Sequence, residues 1–208
     1  MNYRIYFDMD GVLADFVGGS LARHGKTLPR AETSWNFFEQ VGLTAEQFWK
    51  PLHDHEFWAG LDRHADGMEL FTSIALTFPV DRVAFLSSPG CPHSVDGKKA
   101  WLTRHLSKEW AKRAIFTERK ELCAAPCKLL IDDHEPNIAA FTEHGGIGCL
   151  VPRPWNSRRG ECDAHGNFDP AAIANEVKAA MVRQLRSKAA EQSAKLADLQ
   201  ERVAGLTT

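Results

Sequence analysis

No run of the sequence approaches the ~20 consecutive apolar residues that a bilayer-spanning helix requires, which argues against a membrane role. A surplus of one charge is also missing: 25 Lys and Arg stand against 27 Asp and Glu, for a formal net charge of -2. Long nucleic acid is therefore excluded as a general partner, and any nucleotide contact is expected to be local. The chain begins at once with a strand-like run, so no secretory leader is expected, and the five cysteines are an odd number. Reduced thiols in a cytoplasmic protein are the expectation. The tight Cys-x-x-Cys knuckle of a zinc site is absent too. Cys123-x-x-x-Cys127 and Cys162-x-x-His165 are the nearest approach, and Cys127 runs straight into an apolar strand, so structural zinc is not expected. Cys91 and Cys149 read as ordinary buried or half-buried thiols.

What is present is enough apolar material for a proper core: 208 residues, 44% hydrophobic, fit one globular unit with a small insert. The run Tyr3-Arg4-Ile5-Tyr6-Phe7 reads as a buried strand, and directly behind it stands Asp8-Met9-Asp10-Gly11-Val12-Leu13. Alternation turns Asp8 and Asp10 to similar sides and Met9 into the core, while Gly11 permits a tight turn. Two carboxylates at the carboxyl end of a strand suit phosphoryl transfer: Asp8 as nucleophile, Asp10 as general acid and base. Their mutual repulsion with a phosphate calls for a hard divalent cation, Mg²⁺. A solvated acidic turn is the plain alternative.

Short apolar runs then alternate with amphipathic stretches, which predicts βαβ units and a mostly parallel, Rossmann-like sheet of about five strands flanked by helices. The further strands are Val83–Leu86, Ala114–Thr117, Lys128–Ile131 and Gly148–Val151, with a helix over Lys98–Leu106. The first four strands end at Asp8 and Asp10, at Ser87 and Ser88, at Thr117 with Arg119 and Lys120, and at Asp132 and Asp133. In a parallel sheet these clusters gather on one edge. There Ser87 or Ser88 can bind phosphate oxygens, Lys120 can neutralise their charge, and Asp133 beside Asp132 can complete the oxygen shell of Mg²⁺.

These residues carry a resemblance. The chain resembles the haloacid dehalogenase superfamily of phosphatases, and Asp8-Met-Asp10-Gly-Val-Leu-Ala-Asp15-Phe16 is similar to the 5'(3')-deoxyribonucleotidase family within it. The resemblance spans roughly Asn2 to Asn156 and implies a role for each matching position. Asp8 matches the nucleophile and Asp10 the acid/base, which also binds Mg²⁺ through its carbonyl. Phe85-Leu86-Ser87-Ser88-Pro89 matches the second motif, usually Thr-Ser-Pro, which implies phosphate binding by Ser87 and Ser88. Thr117-Glu118-Arg119-Lys120 matches the third, with Lys120 on phosphate, and Leu129–Asp133 the fourth, with Asp133 on the metal and Asp132 behind it. Lys98 resembles a secondary phosphate or ribose contact. His134 stands where the family is often basic, which implies altered leaving-group recognition.

The family also carries a small helical cap after the first strand, which implies a division into a core of residues 1–18 and 71–170, a cap of 19–70 and a C-terminal helix of 171–208. The cap candidate is rich in aromatic residues; Phe16, Trp35 and Trp58 are the expected base contacts, the rest serving as cap core. Pro152-Arg153-Pro154-Trp155-Asn156 resembles a proline-asparagine loop that bacterial relatives carry after the last core strand, and the following Ser157-Arg158-Arg159-Gly160 reads either as a border of the site or as a basic surface loop. From Asp169-Pro170 a long helix is expected. Ile173, Val177, Met181 and Leu185 form its inner stripe, and Leu196, Leu199, Val203 and Leu206 form a short seam that raises a homodimer. The resulting expectation is an Mg²⁺-dependent phosphomonoesterase acting on (deoxy)ribonucleoside monophosphates. A sugar phosphate, a polynucleotide 3'-phosphate end, or a non-catalytic nucleotide-binding module are the alternatives.

Overall fold

The computed structural model describes residues 3–27 and 34–205; residues 28–33 of the expected cap and Leu206 of the expected seam lie outside the described residues. The strands are β1 (Arg4–Phe7), β2 (Val83–Ser87), β3 (Ala114–Phe116), β4 (Lys128–Asp132) and β5 (Ile147–Leu150). They form one parallel sheet in the order β3-β2-β1-β4-β5. All five expected strands are present with ends shifted by a residue. Ser87 and Asp132 join β2 and β4 because their carbonyls still pair with the neighbouring strand ends, at Thr117 N (3.1 Å) and Val151 N (2.9 Å).

Between β1 and β2 run α1 (Phe16–Arg23), α2 (Phe37–Gln40), α3 (Ala45–Trp49), α4 (His55–Ala59) and α5 (Ala65–Thr77). After β2 come α6 (Ser94–His105) and α7 (Lys108–Ala111), then α8 (Glu135–Glu143) between β4 and β5, and finally α9 (Pro170–Gly205). Helix α6 starts a turn earlier than the apolar spacing predicts, behind His93 in the left-handed region at φ 67°. Helix α5 runs continuously through residue 70, where the cap was expected to end.

Alternation along the strands sorts the core into two layers. Ile5, Phe7, Val83, Phe85, Leu129 and Ile131 face one side, and Tyr6, Ala84, Leu86 and Leu130 the other. Both sides are covered, which is why these strands read as unbroken apolar runs rather than alternating ones. On the first side Phe71 of α5 sets its ring 5.4 Å from those of Phe7 and Phe85. Ile173, Val177 and Met181 of α9 join that layer. On the second side Phe141 of α8 meets Tyr6 edge-on at 6.3 Å.

The short helices α1–α4 are fixed by caps and rings. Asp15, Thr44 and Asp54 accept backbone N–H bonds at the starts of α1, α3 and α4. Phe48 sits within 5.4 Å of Phe37 and 4.8 Å of Phe38. Asp169 caps α9 by accepting from Ala171 N and Ala172 N. The chain leaves β1 toward β2 and β3, then crosses back to β4 and β5, so the loops after β1 and β4 diverge. A crevice opens there, where open α/β sheets bind ligands. Among the described residues no helix is long and apolar enough to cross a membrane, and all five cysteines are free thiols.

Candidate active site

The loop after β1 is held by its own backbone. Leu13 N and Ala14 N both donate to Met9 O at 2.8 Å, and Gly11 N donates to Ala14 O at 2.9 Å. Met9 is buried, so Asp8 and Asp10 both open on the crevice. Gly11 has φ +72°, and a Cβ built on it would fall 2.1 Å from Asp133 Oδ2, so only glycine lets this loop lie against the end of β4. From the far side Arg153, 1% exposed, donates to Gly11 O at 2.6 Å and Val12 O at 3.3 Å while pairing with Asp66 at 2.7 Å.

Two buried lysines organise the carboxylates. Lys120 Nζ lies 2.9 Å from Asp8 Oδ1 and 2.7 Å from Asp132 Oδ2. Burial alone would lower its pKa, but Asp132 and Asp8 outweigh burial and raise it, so Lys120 is a fixed cation. Lys98 Nζ lies 2.7 Å from Asp10 Oδ2, donates to Ser88 O and to Ser87 Oγ (3.3 Å), and sits 4.7 Å over the Trp58 ring. Ser87 is thus buried behind Lys98, whereas Ser88 lines the cavity.

Burial raises the pKa of Asp10, opposed by Lys98 and reinforced by Asp8. Burial likewise lifts Asp132 to about 6, against the pull of Lys120. Both Asp132 oxygens are used: Oδ2 accepts from Lys120 and Asn137, Oδ1 from His134 N. Asp133 is different. Its Oδ2 accepts from Trp155 Nε1 at 2.6 Å, but its Oδ1 is buried without a partner, as is Asp10 Oδ1. Burial and the neighbouring Asp132 and Asp8 push its pKa well up. Among the described residues, the one cluster of acidic, His or Cys groups close enough to hold a metal is Asp8, Asp132 and Asp133, with ligand oxygens within 4.8 Å of one another.

The same cavity, of about 490 Å³, is also walled by Phe16, Trp35, Trp49 and Trp58. Phe16 stacks on Trp58 at 5.3 Å with 10° between planes and on Trp49 at 5.8 Å. Trp35 lies 4.1 Å from the ring of His134, whose pKa burial lowers. That ring pair also borders a second cavity containing Asp133, Trp155 and Arg159.

The structure therefore places Asp8, Asp10, Ser88, Lys120, Phe16, Trp35, Trp58 and His134 on one cavity, with Ser87, Lys98 and Asp132 directly behind it and Asp133 beside it. Sequence reasoning missed Trp49, Glu118 and Asn137 in the wall, and the supports Asp66, Arg153, Trp155 and Asn156. Asn156 Nδ2 donates to Asp133 O and Val151 O at 2.8 Å. The Pro152–Asn156 segment braces the loops after β1 and β4; in the stretch after it Arg158 pairs with Glu161 and Glu176, while the exposed Ser157 and Arg159 border the second cavity.

The family described as 5' nucleotidase, deoxy (pyrimidine), cytosolic type C protein matches residues 2–173 of the chain. Among solved structures the chain is similar in fold to the L-2-haloacid dehalogenase of Xanthobacter autotrophicus, at 15% identity and a TM-score of 0.47 over 77% of this chain and 80% of that one. A HAD family hydrolase of Deinococcus radiodurans R1 aligns at 17% identity and a TM-score of 0.42 over 83% and 86%. No curated protein sequence matches the chain.

Proposed function

The chain belongs to the 5' nucleotidase, deoxy (pyrimidine), cytosolic type C family and is a phosphoric monoester hydrolase, and we propose that it cleaves nucleoside monophosphates, deoxyribonucleotides foremost, to nucleoside and phosphate through an aspartyl-phosphate on Asp8. The observation that carries this reading is the cavity itself, which is lined both by Asp8, Asp10, Ser88 and Lys120 and by Phe16, Trp35, Trp49 and Trp58. A phosphate fits the first and a flat base stacks on the second.

The residues present fit Mg²⁺. The donors are hard oxygens, and one buried carboxylate oxygen of the cluster, Asp133 Oδ1, has no protein partner among the described residues. The side chains of Asp8 and Asp133 and the carbonyl of Asp10 would hold the ion, while Asp132, its oxygens taken, braces Lys120 and the His134 backbone. When bound, the ion neutralises the charge that would otherwise keep a phosphate dianion from the carboxylates.

The protein's own groups do the rest. Asp8 attacks phosphorus, and Lys120 and Ser88 hold the spreading negative charge. Asp10, whose burial favours the protonated form, gives its proton to the leaving oxygen and later takes one from the water that opens the acyl phosphate. Phosphate release from a panel of 5'- and 3'-nucleotides, sugar phosphates and a 3'-phosphorylated oligonucleotide, with Mg²⁺ or chelator, tests the reading. Chelator-sensitive release from mononucleotides is expected; turnover of other esters alone overturns the base-stacking wall. Asp8→Asn is expected to cut turnover by a factor on the order of 10⁴ or more, and retained activity would sink the mechanism. The free thiols and the family's description support a cytosolic location. The exposed seam of α9 supports self-association.

A further inference from the structure

Glu118 is the one carboxylate lining the substrate cavity with no place in the chemistry above. It follows β3, and its Oε1 accepts a hydrogen bond from Gly90 N at 3.2 Å, at the start of the loop after β2. Gly90 has φ +75°, and a Cβ there would lie 3.7 Å from the Trp58 ring and 3.8 Å from that of Trp49. The carboxylate is thereby fastened on the cavity beside the loop that lies against these two rings.

No cation balances it. Lys120 is committed to Asp8 and Asp132, Lys98 to Asp10 and Arg119 to Glu121, and among the described residues no ion pair includes Glu118. A phosphatase cavity gains nothing for phosphate binding from a fifth carboxylate beside Asp8, Asp10, Asp132 and Asp133. Its bond to Gly90 N leaves the second carboxylate oxygen for a donor on the bound molecule.

We propose that Glu118 is a specificity-determining residue: it accepts a hydrogen bond from a free sugar hydroxyl of the nucleotide and repels a second phosphate at that position, restricting the enzyme to nucleoside monophosphates and excluding nucleoside bisphosphates. The inference rests on the nucleotidase reading. Discrimination comes here from a repulsive element as much as an attractive one. Like charges a few ångströms apart at this solvent-exposed site are expected to separate the two substrates by on the order of tenfold at low ionic strength.

The test is kcat/KM for a deoxynucleoside 5'-monophosphate and its 3',5'-bisphosphate, in the wild-type enzyme and in Glu118→Gln. The glutamine keeps an acceptor for Gly90 N but replaces the charged second oxygen with an amide donor, so it removes both the repulsion and the acceptor for the sugar hydroxyl. The wild type is expected to favour the monophosphate, and Glu118→Gln to lose most of that preference, through a lower KM for the bisphosphate and a higher KM for the monophosphate. An unchanged preference in Glu118→Gln, or none in the wild type, overturns the selector and leaves the nucleotidase reading standing. A wild-type enzyme silent on both nucleotides overturns the reading on which the selector rests.

Discussion

His64 is kept neutral by its surroundings. It precedes α5, donates its backbone N–H to Leu13 O at 2.8 Å, and buries its Nε2 without a hydrogen-bond partner, 3.7 Å from Asp15 Oδ1. Burial, then the Arg153 guanidinium, lower its pKa to about 4, with Asp15 and Asp66 opposing. In the unfolded chain the same imidazole titrates near the ordinary value of 6.5. Between those values the unfolded state binds more protons, so stability is full above pH 6.5 and drains away as pH falls toward 4, by up to about 3 kcal/mol. Urea unfolding at pH 7 and pH 4.5 is expected to reveal that loss in the wild type and to find it much reduced in His64→Gln; an equal loss in both proteins would remove His64 as the cause. Trp155 acts by a hydrogen bond rather than a proton. Trp155→Phe strips Asp133 of the one side-chain donor it has among the described residues, and Mg²⁺ affinity by calorimetry is expected to fall about 10-fold or more, because an unoriented carboxylate is a poorer ligand.

At the scale of elements, the packing of α5 on the loop after β1 turns on a missing side chain. Gly67 lies inside α5, and a Cβ there would stand 1.8 Å from Val12 O. In an isolated helix alanine in place of glycine is worth up to ~1 kcal/mol. Here the sign is expected to reverse: Gly67→Ala should lose about 2 kcal/mol by urea unfolding and reduce kcat, since the loop carrying Asp8 and Asp10 must shift. Such contacts mark the limit of what the sequence makes legible. The first four strands and their polar ends are readable because each is a local pattern, an apolar run followed within four residues by Asp, Ser or Lys. The Arg153 clamp joins residues 142 positions apart at Gly11 and 87 apart at Asp66. No periodicity announces it, and a buried arginine in a Pro-rich segment looks like any surface basic residue. Trp49 escaped for a similar reason: α3 is five residues long, too short for spacing to separate its cavity face from its core face.

For the whole molecule, α9 raises a question that the active site does not. Its 36 residues extend about 54 Å. Ile173, Ala174, Val177 and Met181 anchor the first turns in the core. Beyond them Val182, Leu185, Ala189, Gln192, Leu196, Leu199 and Val203 follow the alternating three and four spacing of a coiled-coil seam. Leu185, expected on the inner stripe, is half-buried, whereas Val182 is 44% exposed and Leu196, Leu199 and Val203 are 56–60% exposed, so among the described residues nothing covers the outer part of this stripe. The flanking charges select an orientation for the proposed pairing. Lys188, Lys195 and Arg202 line one side of the seam; Arg186, Ser193 and Gln200 line the other. Antiparallel pairing would bring lysine against lysine. Parallel pairing sets Lys188 against Ser193 of the second copy and Lys195 against Gln200, with no like-charge contact. The expected assembly is a parallel dimer with both catalytic units at the same end of the stalk. Because the Asp8 cavity is built within one chain, activity per chain is expected to be independent of it. Sedimentation equilibrium should give twice the chain mass at micromolar concentration, and Leu196→Glu with Leu199→Glu should give a monomer of undiminished kcat/KM. A wild-type monomer at 100-fold higher concentration would leave the stripe without a second copy as its cover, and a monomeric variant with impaired catalysis would mean that dimerisation reaches the active site.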